Sequence, residues 1–218
     1  MNYDKIVQYP LDVERSDWTT QHWDDDVLAV IKQARRRRFQ GRPIVFFGSS
    51  SFRYWMRMTE DLGRLDVLNL GFGGGTVESA LRYFDRLFDG IDPAKIVLYF
   101  GENDVANDGL TAAQIMIGMM QLVKRIEECY GAVPLYYVSI KHSPKRWLYG
   151  EEFDRLNEAL REDAARANNR HYIDLTSCLI GPNGRPIGRY YADDQIHLNA
   201  TGYNVWREKL EATDELWR

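Results

Sequence analysis

The 218-residue chain has little cysteine, no long apolar run and no excess of positive charge. Its two cysteines, Cys129 and Cys178, cannot build the multi-bridge framework on which small secreted domains depend. Cys129 closes an apolar helical pattern and reads as a buried or half-buried thiol. No stretch approaches the roughly 20 apolar residues that span a bilayer, so no integral membrane association is expected. The N-terminal segment "MNYDKIVQYPLDVERSDW" turns acidic early and lacks an apolar centre, so it is not a secretory signal. A cytoplasmic location is the expectation. A formal net charge of −4 argues against general affinity for nucleic acid or anionic lipid. Internal repeats, low-complexity tracts and Pro/Ser-rich linkers are absent too. Apolar residues at 44% and charged residues at 28% give the balance of an ordinary globular protein. A single domain over residues 1–218 is expected, with an N-terminal arm and first helix over 1–40 and a core over 43–212.

What is present is an alternation of short apolar runs with longer amphipathic ones. The runs "PIVFFG" (43–48), "DVLNLG" (66–71), "KIVLYFG" (95–101), "PLYYVS" (134–139) and "HYIDL" (171–175) are β-branched or aromatic and nearly continuous in apolar character. That composition suits strands buried on both faces. Between them, the spacing predicts a helix over 24–38, with Val27, Val30, Ile31 and Ala34 on one face. Asp24 to Asp26 at its start and Arg35 to Arg38 at its end would complement the helix macrodipole. Further helices are expected from Thr76, from Thr111 to Gly131, over 151–168 and after Asn199. Thr111 and Gln114 stand at capping-box spacing. Strand and helix in alternation imply an α/β fold, a parallel sheet with helices on both faces. Ligands of such sheets bind beyond the carboxyl ends of the strands.

The loops leaving the strands hold unusual residues. The first is Gly48-Ser49-Ser50-Ser51, the second Gly71-Phe72-Gly73-Gly74-Gly75-Thr76, the third Gly101-Glu102-Asn103-Asp104. After the fifth strand comes "YYADDQIHLNATGY", with Asp194 and His197 three residues apart. Together these supply a hydroxyl, a glycine-rich backbone, a carboxamide and an Asp/His pair, the parts of acyl transfer. A serine hydroxyl needs a base within hydrogen-bond reach to act as a nucleophile at neutral pH. Histidine can take and return that proton, and a carboxylate fixes its tautomer. The tetrahedral intermediate needs preorganised N–H donors, which glycine backbone and an Asn side chain can provide. His197 alone among the four histidines has a carboxylate at tight local spacing. His22 and His171 suit structural or surface roles, and His142 could line the site.

These four blocks, in this order, resemble the SGNH hydrolases, the GDSL esterase/lipase superfamily. Gly48-Ser49-Ser50 stands where that family has Gly-Asp-Ser, Gly74 at its second-block glycine, Gly101 to Asp104 at its Gly-x-Asn-Asp and Asp194 to His197 at its Asp-x-x-His. "GSSS" is similar to a first block found in a bacterial, acetylhydrolase-like branch. The resemblance implies a flavodoxin-like three-layer α/β/α sandwich with a five-stranded parallel sheet in the order 2-1-3-4-5. It implies Ser50 as nucleophile, His197 as base and Asp194 as its orienting acid. The Ser50 and Gly74 N–H groups and the Asn103 amide would form the oxyanion hole. Ser49 replaces the family's acid, and Asp193 stands beside Asp194 and could share its role. The implied activity is hydrolysis of a small, acetyl or short-chain acyl ester through an acyl-enzyme, without metal or organic cofactor. A thioesterase or lysophospholipase could use the same site. No large insertion offers a lid, so an open site is expected. The partner would be a small-molecule ester, and a homo-oligomer is compatible with the sequence.

Three other readings compete. "GFGGGT" before a helix could cradle phosphate in a nucleotide-binding, flavodoxin-like domain, although it departs from G-x-G-x-x-G and lacks a P-loop ending. Asp193, Asp194 and His197 could ligate a metal, but no further ligand cluster accompanies them. A non-catalytic protein on the same scaffold would have no need of all five residues together. Trp55, Trp147, Tyr149, Tyr190 and Tyr191 read as core or rim, and Arg53, Lys141 and Arg146 as solvated surface.

Overall fold

The computed structural model describes residues 20–218, with side chains from Trp23 onward. The arm before Thr20 and the side chain of His22 lie outside the described residues. The chain order is α1 (Thr20–Ala34), β1 (Ile44–Gly48), α2 (Ser50–Arg53), α3 (Met58–Asp61), β2 (Val67–Asn69), α4 (Val77–Leu87), β3 (Lys95–Tyr99) and α5 (Glu102–Ala106). It continues with α6 (Ala112–Tyr130), β4 (Leu135–Val138), α7 (Gly150–Ala165), β5 (Arg170–Ile173), α8 (Ala200–Glu211) and α9 (Asp214–Trp217).

The five strands are parallel in the order β2-β1-β3-β4-β5, so β1 is central. The order reverses at β1, where β2 lies on one side and β3 on the other. The loops after β1, β2 and β3 therefore meet at one carboxyl edge, where a ligand site is expected. Registration is tight there: Gly48 pairs with Tyr99, Ser49 N–H donates to Tyr99 O at 3.0 Å, and Phe72 N–H donates to Gly48 O at 3.0 Å.

Both faces of β1 are covered, which explains its uninterrupted apolar character. Phe46 meets Phe52 of α2 edge-on at 5.3 Å, while its neighbour Phe47 meets Phe88 and Phe100 on the opposite face. Both phenylalanines are fully buried. On the Phe46 side, Phe52 and Tyr99 pack against Trp206 of α8. On the Phe47 side lies α4, which packs on α1 and α6, and α6 packs on α7. This is the three-layer α/β/α arrangement.

Helix starts follow the local chemistry. Thr76 and Ser79 form a reciprocal capping box at α4, and Thr111 and Gln114 form another at α6. Helix α6 ends at Gly131. Asn199 caps α8 through Gly202 N–H. Two expectations need correction. Helix α1 begins at Thr20, so Asp24 to Asp26 are not its first turn, and Asp26 serves the site instead. The helix ends at Ala34, so Arg35 to Arg38 lie beyond its last turn, where Lys32 sits; Arg38 donates to the carbonyls of Arg35 and Arg37, and Arg35 pairs with Asp89. Cys129 is exposed, because α6 turns Ile126 and Tyr130 inward and presents position 129 to solvent. Cys178 is half-buried, and that burial pushes its thiol up to about 11, which leaves it protonated and inert at neutral pH.

Candidate active site

The strand edge brings the expected residues together. Ser50 opens α2 directly beyond β1, and its Oγ lies 2.8 Å from His197 Nε2. His197 Nδ1 lies 2.5 Å from Asp194 Oδ2. The other Asp194 oxygen accepts the N–H groups of Ile196 and His197, both at 2.9 Å, and so closes a tight turn. Gln195 inside that turn adopts φ 58°, a left-handed conformation unusual for a side-chain-bearing residue. Partial burial pushes the Asp194 carboxyl up, but the bonds from His197 and Ile196 outweigh it and bring it down to about 2. Asp194 is therefore ionised throughout the neutral range. Asp193 is exposed, and His197 takes its carboxylate contact from Asp194. The Tyr54 ring, one helical turn beyond Ser50, stands edge-on to His197 at 4.7 Å and shields one side of the imidazole.

The glycine loop faces this pair. Gly74 is buried with φ 62°, which glycine adopts without steric cost. Among the described residues, neither the Ser50 nor the Gly74 N–H has a hydrogen-bond acceptor. A backbone N–H left without an acceptor is free to donate to a ligand oxygen. Asn103 Nδ2 donates to Gly75 O at 3.0 Å, which uses one of its two N–H bonds. The loop is held from several sides. Asp26 of α1 accepts Gly73 N–H at 2.5 Å and Arg53 Nε at 3.0 Å, tying the glycine loop to α2. Asn69 accepts Gly71 N–H and donates to Phe52 O. A side chain on Gly71 would collide with the α2 backbone, its Cβ only 2.5 Å from Arg53 N, so α2 and the glycine loop can approach this closely only with glycine here.

Glu102 and Asp104 flank Asn103 and are both buried. Glu102 accepts Lys141 Nζ at 2.6 Å, Tyr99 Oη at 2.7 Å and Arg146 Nη1 at 3.1 Å. Burial alone would raise its carboxyl, but the Lys141 and Arg146 charges hold it below the usual carboxylate range. Asp104 accepts Val77 N–H at the start of α4, and burial raises its carboxyl to about 7.

Several sequence expectations are revised. Lys141 is fully buried and Arg146 nearly so, where solvated surface was expected; both pair with the single Glu102 carboxylate. Arg53 is half-buried against Asp26. His142 does not join the site: it is buried against Trp147 and Phe153, with Nε2 2.9 Å from Asp154. Trp55 is core, stacked on Tyr203 and bonded to Asp61. Tyr191 is buried, and its hydroxyl donates to His142 O. The "GFGGGT" loop is poorly suited to cradle phosphate, because its Gly73 N–H is taken by Asp26, its Thr76 N–H by Ser79 and the following Val77 N–H by Asp104. Among the described residues, no group of three His, Cys, Asp or Glu could hold a metal ion, and no helix is long and apolar enough to cross a membrane.

Residues 17–205 match the sequence profile of the GDSL-like Lipase/Acylhydrolase family. No curated protein sequence matches significantly. Solved structures share the fold. A Streptococcus pneumonia protein described as a platelet activating factor is 21% identical, with TM-score 0.76, over 89% of this chain and 94% of its own. A Bacteroides fragilis protein described as an acylhydrolase is 18% identical, with TM-score 0.73, over 92% and 99%. A carbohydrate esterase family 3 protein from Talaromyces cellulolyticus is 13% identical, with TM-score 0.62, over 81% and 98%. With its profile matched over most of its length, this chain belongs to the GDSL-like lipase/acylhydrolase family and is an ester hydrolase of the SGNH superfamily.

Proposed function

We propose that the protein is a serine esterase that cleaves small esters, acetyl or short-chain acyl, through Ser50, His197 and Asp194. The observation that carries this reading is the continuous chain of contacts from Ser50 Oγ through His197 Nε2 and Nδ1 to Asp194.

The steps follow from those contacts. His197 Nε2 removes the Ser50 proton as Oγ attacks the ester carbonyl carbon. Asp194 keeps the Nδ1 proton in place and stabilises the imidazolium that forms. The carbonyl oxygen becomes an oxyanion, met by the Ser50 and Gly74 N–H groups and the remaining N–H of Asn103. As the tetrahedral intermediate collapses, the C–O bond to the alcohol breaks and His197 returns the proton to the leaving oxygen. Water then attacks the acyl-enzyme with His197 as base again, releasing the acid and restoring Ser50. Every proton is carried by His197.

The short-chain preference draws support from a structural neighbour named an acetyl esterase with acetate ion, with TM-score 0.62, and from another named an acetyl-xylooligosaccharide esterase, with TM-score 0.64. A series of p-nitrophenyl esters and matched thioesters, run on wild type and Ser50→Ala, tests it. kcat/KM should be highest for acetyl and propionyl oxygen esters and fall as the chain lengthens past butyryl. Rising kcat/KM with chain length would overturn the short-chain reading, and a preference for thioesters would move the activity to acyl thioester hydrolysis.

A further inference from the structure

We propose that Arg146 is a positioning residue for the oxyanion donor, acting through Asn103. The inference rests on the Ser50–Asn103 reading above and extends it to a residue bonded to Asn103 rather than to Ser50.

Asn103 is buried, and its carboxamide has one fixed orientation. Its Oδ1 accepts Arg146 Nη1 at 3.1 Å, and its Nδ2 donates to Gly75 O at 3.0 Å. A flipped amide would set an N–H against a guanidinium, which only donates, and an oxygen against a carbonyl, which only accepts. Arg146 and the Gly75 carbonyl thus together decide which end of the amide faces the site. Asn107 also bonds Oδ1, but at 3.5 Å it is too distant to hold the amide alone.

The guanidinium is itself fixed. Nη1 is shared between Asn103 and Glu102, and Nη2 donates to Asn107 Oδ1 at 3.1 Å. Glu102 is also bonded by buried Lys141, so two cations share one carboxylate and the Arg146 charge is only partly neutralised. A cation on Oδ1 polarises the amide and makes its N–H groups better donors to a developing negative charge. The same loop reaches the triad, since Lys145 N–H donates to Gln195 O, between Asp194 and His197. Arg146 therefore braces the oxyanion donor from a loop that also braces the base.

A double-mutant cycle separates this role from simple neutralisation of Glu102. Asn103→Ala should lower kcat on the order of a hundredfold, as loss of one oxyanion donor does. Arg146→Gln should lower kcat by roughly ten- to a hundredfold with KM changed by less than about threefold. In the Asn103→Ala background the same substitution should cost less than about threefold, because the amide it acts on is gone. Equal losses in both backgrounds, or a loss carried by KM alone, would overturn the proposal. An unchanged kcat in Asn103→Ala would overturn the oxyanion reading itself, a distinct result. Should Arg146→Gln fail to fold, Arg146→Lys keeps a charge beside Glu102 and supports the same cycle. It should retain a loss of about fivefold or more with Asn103 present and none without it. The same loss in both backgrounds would again count against the proposal.

Discussion

Replacing Asp194 by Asn separates the chemistry of the site from its fold. The Asp194 Oδ1 atom accepts two backbone N–H groups, from Ile196 and His197. In Asp194→Asn the amide oxygen takes over that position, because only an oxygen can accept both bonds. The turn that holds Gln195 at positive φ is then preserved. The amide nitrogen must consequently face His197 Nδ1, where a carboxylate oxygen stood at 2.5 Å. An N–H there makes Nδ1 the acceptor and moves the imidazole proton to Nε2. A protonated Nε2 cannot take the Ser50 proton across the 2.8 Å contact. The wrong tautomer costs up to ~10⁴-fold in kcat, about 5 kcal/mol, where the acid is buried. The Asp194 side chain is 43% exposed, so water can partly substitute and the loss should fall between about 10²- and 10⁴-fold. Steady-state hydrolysis of p-nitrophenyl acetate gives kcat, and a thermal melt confirms that the fold survives. Activity of Asp194→Asn within about threefold of wild type would refute the reasoning. So would an equal loss in Asp193→Asn, whose side chain is exposed to solvent.

Two further expectations concern stability. Asp104 has a folded-state value of about 7 against an ordinary value near 3.8, so the folded protein holds a proton there that the unfolded chain releases. That contribution is complete below pH 4 and is lost as pH rises through 7, amounting to about 4 kcal/mol at most. Asp104→Asn, which mimics the protonated acid, should remove this dependence, so the urea midpoints of variant and wild type should diverge between pH 4 and 7; parallel profiles would contradict the assignment. Phe47 touches Phe72, Phe84, Phe88 and Phe100, and Phe47→Ala should destabilise by about 3–5 kcal/mol in urea unfolding, whereas a loss below about 1 kcal/mol would show that the α4 side of the sheet repacks.

The strand runs were legible in the sequence because β1, β3 and β4 are buried on both faces, which leaves an apolar signature no loop shares. The loops that carry Ser50, Gly74, Asn103, Asp194 and His197 were legible for a related reason. Each directly follows a strand or precedes a capped helix, and a parallel sheet brings such loops to one edge. What the sequence concealed was charge. Glu102 lies far from Lys141 and Arg146 in the chain, and the two cations read singly as solvated. Only the adjacency of β3 and β4 makes them one buried network. Asp26 was hidden differently: it sits among three aspartates that a macrodipole argument explains by itself. Helix α1 starts four residues before Asp24, and the tertiary bond to Gly73 N–H decides what Asp26 does. A local rule was sufficient to explain the residue and was still not the one that governs it.

Three adjacent serines follow β1, and Ser50 alone has a hydroxyl bonded to His197. Labelling with a fluorophosphonate, followed by mass spectrometry of the modified peptide, is the most direct measurement of the central claim. The adduct should fall on Ser50, disappear in Ser50→Ala, and persist in Ser49→Ala and Ser51→Ala. Labelling that survives in Ser50→Ala, or an adduct found on Ser49 or Ser51 of the wild-type protein, would contradict it.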